Sequence, residues 1–547
     1  MRRHKLFQIG IRFEVLDISK KLFLMMLECI LFHTPVDSVL LDDKSICYQN
    51  PLFSVTQVYL ISLDYFSQSQ FALQLSCPFE SMFSSPIKSL NFEKTNLNML
   101  TLAYAYNSDS LFLNDTVLYA DTVKHDDLGL IKFRDNGEIV FSKRFPARSI
   151  LSANIASLPD GKIALAGIFA KDSIVLGDYH LHCIGCNVHD SEVFLAVLDS
   201  LGNVLNAKRF GGNTWDYAED LTSDAEGNIY LTGTTYSQYF MADSVVMYNS
   251  GFGLNSDAFL LKLNSNLDLI WTKHIQGIYT QKARRLAGDN EGNIYLSGTI
   301  SSTMALIGSD TLWGSLSYST PYLLKISQDG ILEWSRVFPS QSTNCTISDI
   351  NVDAGNNIWL SINYNGTLDV FGNALITNNY LDNALIQVNP DGAYKQMYII
   401  ENTTGQQIVP LDDDRLFIVG HFCCNGSLTF LNMTLSSLDQ NDQLYYYFTL
   451  QLPPVTTVTP GRAESVLSIH PNPLRCGALL NVDFTGEPQE SPGRIQVYDC
   501  LGRPVAQYDW AADSITLQLP CVLQPGVYFI SFQAEEALFT QKLIVID

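Results

Sequence analysis

Between about residues 91 and 452 the chain repeats one pattern of short apolar segments divided by polar turns. One column of the pattern reads EGNIYLTGT (226–234), EGNIYLSGT (291–299), DGKIALAG (160–167), NNIWLSI (356–362) and DRLFIVG (414–420). Its first apolar residues, Ile163, Ile229, Ile294, Ile358 and Leu416, stand 66, 65, 64 and 58 residues apart, with a fainter copy at Leu100. A second column reads DLGLIKF (127–133), EVFLAVL (192–198), DAFLLKL (257–263), PYLLKI (321–326), NALIQV (383–388) and YYFTLQL (446–452). Its central residues, Leu130, Leu195, Leu260, Leu323, Leu385 and Phe448, are spaced 65, 65, 63, 62 and 63 apart. Two independent columns with one period define a structural repeat.

Each unit adds two weaker apolar segments. One is Asp-Ser/Thr-aliphatic, starting at Asp172, Asp243 and Asp310; the other carries Trp271 or Trp334. The segments are short and rich in Val, Ile, Tyr and Thr, and nothing in the region sustains a helical period, so about four strands per unit are predicted. Gly137, Gly202, Gly330 and Gly392 follow the second column and supply the positive φ of a tight hairpin turn. About six four-stranded units imply an all-β chain built around a six-bladed β-propeller, because radial closure leaves few exposed sheet edges. Phasing blades from the Ile163 column makes each blade contiguous; phasing from the Leu130 column interleaves the two ends. With GNIYLTGT followed by DAFLLKLN, the region resembles the bacterial β-propeller repeat family known as SBBP. Tyr230, Tyr295, Trp359 and Phe417 recur at one strand position, where core packing is favoured over a sugar-stacking ring.

After Leu452 the Pro/Thr stretch 453–464 reads as a linker, and a new alternating pattern opens near residue 465. Its segments VLSIHPNP, ALLNVDF, RIQVYD, SITLQL, GVYFISF and FTQKLIVI predict a small immunoglobulin-like β-sandwich over 465–547. Three ordered motifs lie in it: Pro471, Asn472, Pro473; then Tyr498, Asp499, Gly502, Arg503; then Gly526 and Tyr528, with Lys542 on the last strand. In this order they resemble the type IX (Por) secretion system C-terminal sorting domain. That resemblance implies the type IX secretion machinery as a partner, passage across the outer membrane, and a secreted or surface-attached passenger. Arg503, charged and on a turn, is the best single candidate for contact with that machinery.

Charge separates the parts further. Lys plus Arg number 33 against 56 Asp plus Glu, a net charge of -23, which repels phosphate backbones and argues against nucleic acid as a partner. Residues 1–90 hold eight acids and eight bases, so they stand apart as an N-terminal segment of uncertain role. Within them Lys20 and Lys21 precede LFLMMLECILF (22–32), a weak export-signal candidate that Glu28 interrupts and no small-x-small cleavage site follows.

Candidate chemistry is sparse. His180, His182, Cys183, Cys186, His189 and Asp190 offer zinc-ligand types in one long loop, with a disulfide or an unliganded loop as the alternative. The segments 224–228 and 289–293 could recruit calcium, although hairpin turns explain them without it. Cys423 and Cys424 fit two thiols or a vicinal disulfide. No nucleophile elbow, zincin, P-loop or dinucleotide motif occurs, and no paired acids are singled out by context. Two functions remain open. One is a non-enzymatic exported propeller that binds an unknown surface ligand, glycan or protein. The other is a secreted polysaccharide-acting enzyme with its site at a propeller mouth. Acids and aromatics converging at a mouth favour the enzyme, and repeat-equivalent residues there favour binding. A third reading keeps the protein inside the cell.

Overall fold

The structure, a computed structural model, describes strands along the whole chain, and describes side chains chiefly over residues 99–106, 126–134 and 138–410 with short interruptions. Among the described residues there is no α-helix; the one helical turn is the 3-10 segment Pro159–Gly161. The chain divides into two compact units, Met1–Pro453 and Pro454–Asp547.

The first unit is a succession of antiparallel sheets that follow one another in sequence, apart from hairpins that several sheets take from the stretch of chain after them. The third to sixth sheets begin with the strands Ile150–Ser157, Asp216–Ser223, Gln281–Gly288 and Thr346–Val352. The Ile163-column strand follows as second strand, the Leu130-column strand as third, and a more exposed fourth strand closes each sheet. Ile163, Ile229 and Ile294 pair with Leu198, Leu263 and Ile326, so the repeat in sequence is also a repeat in register. Column residues Ile163, Leu195, Ile229, Leu260, Leu323, Ile358 and Leu385 are completely buried. Strands covered on both faces read as near-continuous apolar runs, which is why these two columns dominate the sequence pattern.

The unit differs from the predicted six repeats in two ways. A further sheet, from Phe13–Ile18, Lys21–Leu31, Val55–Asp64 and Ser69–Pro78, precedes the repeat. Residues 1–90 therefore belong to the first compact unit, and the export-signal candidate at 22–32 lies almost wholly in a strand paired on both sides. The second sheet starts at Ile87–Asn96 and the seventh, of three strands, at Thr403–Asp412. Second, the Asp-Ser/Thr-aliphatic segments, counted from sequence among the four strands of each unit, are not one of those four. They form separate hairpins, such as Tyr239–Ala242 with Val245–Tyr248, that pair with the last strand of the preceding sheet, as in Gly211↔Met241 and Ile275↔Ile307.

The first strands of successive sheets pack against one another. Each lies against the next, and Phe13–Ile18 lies against both Ile87–Asn96 and Thr403–Asp412. Their sequences, DYAEDLTS and QKARRLAG, do not alternate, because a bulge interrupts the register between Ala218 and Asp220 and again between Ala283 and Arg285. A bulge puts two residues of one strand opposite one of its partner. Beside it the second strand carries glycine: a Cβ on Gly233 would sit 2.0 Å from the Tyr217 carbonyl oxygen and 2.4 Å from the Phe259 ring, and Gly298 is equally enclosed by the Lys282 oxygen and Tyr322. In the second sheet the roles are exchanged, with Tyr104 of the second strand covering Gly129 of the third.

Among the described residues the second unit has eight strands in two sheets. Val466–His470, Leu479–Thr485 and Ser514–Gln518 form one; Leu474–Arg475, Ala537–Ile546, Gly526–Ala534, Gly493–Asp499 and Pro504–Trp510 form the other. All six segments predicted from alternation are strands.

Candidate functional site

The first strands begin, and the second strands end, at one common edge of the first unit's sheets. Cross-strand pairs at equivalent repeat positions mark it: Tyr217↔Thr234, Lys282↔Thr299 and Thr346↔Asn363. The last two pairs line a cavity of about 620 Å³, together with Thr280, Arg284, Ser301, Asn344 and the loop residues Leu316 to Ser319. A smaller cavity of about 250 Å³ adjoins it, lined by Ser152, Asn154, Tyr217, Glu219, Arg285 and again Arg284. No carboxylate lines the larger cavity. Beside these cavities sits an aromatic group on the neighbouring sheet, with Trp215 and Tyr217 each edge-on to Tyr236 at centroid distances of 6.1 and 6.0 Å.

Buried polar side chains fix this rim. Asp216, fully buried, accepts hydrogen bonds from the Gly212 amide at 2.7 Å, the Thr235 hydroxyl at 2.5 Å and the Ser237 hydroxyl at 3.0 Å. Burial outweighs those three bonds and, with Glu192 nearby, pushes its carboxyl up to about 7. At the equivalent position in the next sheet Gln281 bonds Ser302, whose hydroxyl also accepts from the Tyr279 amide. The third strands open at this end with buried acids, each held by a base on the fourth strand: Asp127 with Arg144 at 2.6 Å, Glu192 with Arg209 at 2.6 Å and Asp257 with His274 at 2.9 Å.

Along the first strands the charged groups stitch neighbours together. Asp220 accepts from the Leu286 amide, Asp349 accepts from the Ile408 amide, and Arg285 donates to the Ser348 oxygen. Burial raises both carboxyls, that of Asp349 to about 6. Side chain to backbone bonds substitute here for the ladder that adjacent sheets lack.

The remaining candidates fall elsewhere. Tyr230, Tyr295 and Trp359 are buried, as core packing requires, and Phe417 lies outside the residues whose side chains are described. The carboxylates of Asp224 and Asp289 are taken up by their own turns, each bonding the backbone and side-chain amides of Asn228 or Asn293 and the hydroxyl of Tyr230 or Tyr295. His180 and His182 are exposed on the strand Tyr179–His182, and His182 Nδ1 lies 4.0 Å from Asp172. The sulfur of Cys183 is disulfide-bonded, which replaces the thiolate that a zinc ligand requires. Cys186 and His189 lie outside the described residues, and among the described residues no three His, Cys, Asp or Glu side chains are grouped to hold a metal.

In the second unit Tyr498 and Asp499 end the strand Gly493–Asp499, opposite Phe529 and Tyr528, and Lys542 stands opposite Phe529 on the last strand. Gly526 pairs with Val545. Two of the three motifs thus meet at one end of neighbouring strands. Pro471, Asn472, Pro473, Gly502 and Arg503 lie outside the described residues. Residues 468–546 match the secretion system C-terminal sorting domain family. The sorting domain implies secretion and export to the cell surface through the type IX machinery. No helix of the described residues is long and apolar enough to cross a membrane.

Relatives of the rest are distant. A regulatory protein FlaEY of Caulobacter vibrioides is 23% identical over 219 residues, 39% of this chain and 22% of that protein. An uncharacterized WD repeat-containing protein, L264, of Acanthamoeba polyphaga mimivirus is 22% identical over 207 residues, 32% of this chain and 14% of that protein. The chain spans less than a quarter of the length of these curated relatives. Among solved structures, a Synechocystis apocarotenoid oxygenase mutant aligns over 82% of this chain and 94% of its own at 10% identity and a TM-score of 0.37; the cobalt-substituted enzyme gives 0.36 at the same coverage and identity.

Proposed function

We propose that the chain is an exported surface protein whose first unit is a closed β-propeller of seven blades, and that it binds a ligand at the mouth around Lys282 and Thr346 without chemical turnover. The second unit is its sorting address, and its two sheets fit an immunoglobulin-like sandwich. Support for closure comes from the first strands, in which Phe13–Ile18 touches the strands on either side of it in the ring, Ile87–Asn96 and Thr403–Asp412. Radial closure of this kind protects sheet edges.

One observation carries the binding reading: the larger cavity is built from equivalent positions of neighbouring sheets, Lys282 with Thr299 and Thr346 with Asn363, and no carboxylate lines it. Glycoside hydrolysis ordinarily needs two carboxyl groups about the scissile bond, and this cavity offers none. Its hydroxyl, amide and cationic groups suit recognition of a polar ligand. The full chain applied to a glycan array tests the reading, with Thr299→Trp filling the cavity. Binding that survives this substitution refutes the site. Export is tested by fractionating cells that express the chain with and without residues 465–547; an unchanged location after deletion refutes the sorting role.

A further inference from the structure

The larger cavity runs against the charge of the molecule that contains it. The chain carries a net -23, yet Lys282 and Arg284 project into this cavity from a single strand and no acid lines it. Among the described residues the Lys282 ammonium has no hydrogen-bond or ion-pair partner. Arg284 lies 3.8 Å from Glu219, beyond hydrogen-bond reach, and its Nε is buried without an acceptor. Buried donors are nearly always paired in folded proteins, so the buried Arg284 Nε leaves a demand for an acceptor, and the half-buried Lys282 beside it adds a positive charge that no acid lining the cavity offsets.

The surroundings narrow the acceptor's class. Hydroxyls of Thr280, Thr299 and Ser301 and the Tyr318 ring share the cavity with the two cations. Its volume of about 620 Å³ falls within the roughly 300–1,000 Å³ of small-ligand sites. Strong overall negative charge repels densely charged polymers at a distance, which disfavours a polysulfated chain and leaves room for a ligand with isolated charges. We infer that the cavity binds a carboxylated sugar unit of an extracellular glycan. The carboxylate is held by Lys282 and Arg284, the sugar hydroxyls by Thr280, Thr299 and Ser301, and an apolar sugar face by Tyr318. The Trp215, Tyr217 and Tyr236 group, reached through the smaller cavity that shares Arg284, lies in position to receive a neighbouring sugar. The inference rests on the mouth being the binding site.

Calorimetry on the full chain tests it, with a disaccharide bearing one glucuronate and a sialylated trisaccharide each compared with its neutral counterpart. At least one acidic probe should bind about tenfold more tightly than its neutral partner, and should weaken as salt is raised to about 0.5 M. Lys282→Met and Arg284→Gln should each reduce that affinity by about tenfold or more, with the thermal melting of Lys282→Met unchanged. Equal binding of acidic and neutral probes, or indifference to Lys282→Met, overturns the inference. If neither acidic probe binds while an array ligand is lost in Thr299→Trp, the carboxylate assignment falls and the mouth stands; if Thr299→Trp also leaves array binding intact, both fall.

Discussion

Asp216 makes stability depend on pH in a direction opposite to that of an ordinary paired carboxylate. The side chain is fully buried between the third and fourth sheets' polar rim residues, and burial raises its carboxyl from 3.8 to about 7 despite bonds from Gly212, Thr235 and Ser237. A carboxyl with a folded-state pKa above its unfolded one binds its proton more tightly when folded. Its contribution is therefore complete below about pH 4 and is lost as pH rises through about 7. Each tenfold change in proton affinity corresponds to about 1.36 kcal/mol, so the full loss is about 4 kcal/mol. Asp216→Asn should remove this dependence. It should also cost about 1–3 kcal/mol at low pH, because the amide nitrogen replaces an oxygen that faces the Gly212 and Ser237 donors. Urea denaturation followed by tryptophan fluorescence at intervals from pH 4 to 8 separates the two effects: the variant's stability curve should lie lower at pH 4 and fall less steeply toward pH 7. A slope equal to that of the parent would refute the reasoning, whatever the absolute stability.

Two further predictions follow from packing and charge. Gly298→Ala places a Cβ 2.0 Å from the Lys282 carbonyl oxygen and 2.5 Å from the Tyr322 hydroxyl; overpacking of this kind costs about 1–3 kcal/mol or more, and an unchanged melting temperature would contradict the strand spacing at the bulge. Arg209→Leu leaves the completely buried Glu192 without its ion-pair partner and with only the Ile184 amide as donor, a loss of about 3–5 kcal/mol, part of which Glu192→Gln in the same chain should recover in thermal melts; a double variant no more stable than Arg209→Leu alone would count against the pair as the cause.

The two columns were legible because both faces of those strands are covered. Ile229 and Leu260 are fully buried, and so are their neighbours Tyr230 and Leu261, so the apolar run is unbroken and its period stands out. The strands that shape the mouth obey the opposite rule. Asp216–Ser223 is only partly buried along its length and has a bulge at Glu219 that shifts the alternation midway, so it reads as a polar loop although it is the first strand of its sheet. The first sheet was hidden for another reason: it lacks the GNIYLTGT signature. One signal did survive in Asp37, Ser38 and Val39, which repeat the Asp-Ser-aliphatic pattern of Asp172 and Asp243; Ser38 and Val39 lie in a hairpin strand, Ser38–Leu41, which falls in sequence between the second and third strands of that sheet.

The exchange of Tyr104 and Gly129 for Gly167 and Phe194 shows why single-column reading has a limit. In the second to fifth sheets one ring covers one glycine, but either strand can supply either partner, and the sixth sheet pairs Ile362 with Ala384 at the same position, so the repeat fixes the place and not the residue in a given column. The mouth extends this principle to chemistry. Positions 217, 282 and 346 are equivalent in register, yet they carry tyrosine, lysine and threonine. A repeat places each of them at the same rim without constraining what it presents there. Divergence among equivalent positions is thus the natural route by which a symmetric scaffold acquires one asymmetric, cationic pocket, and the 64-residue period, used as an index of place and not of type, locates it.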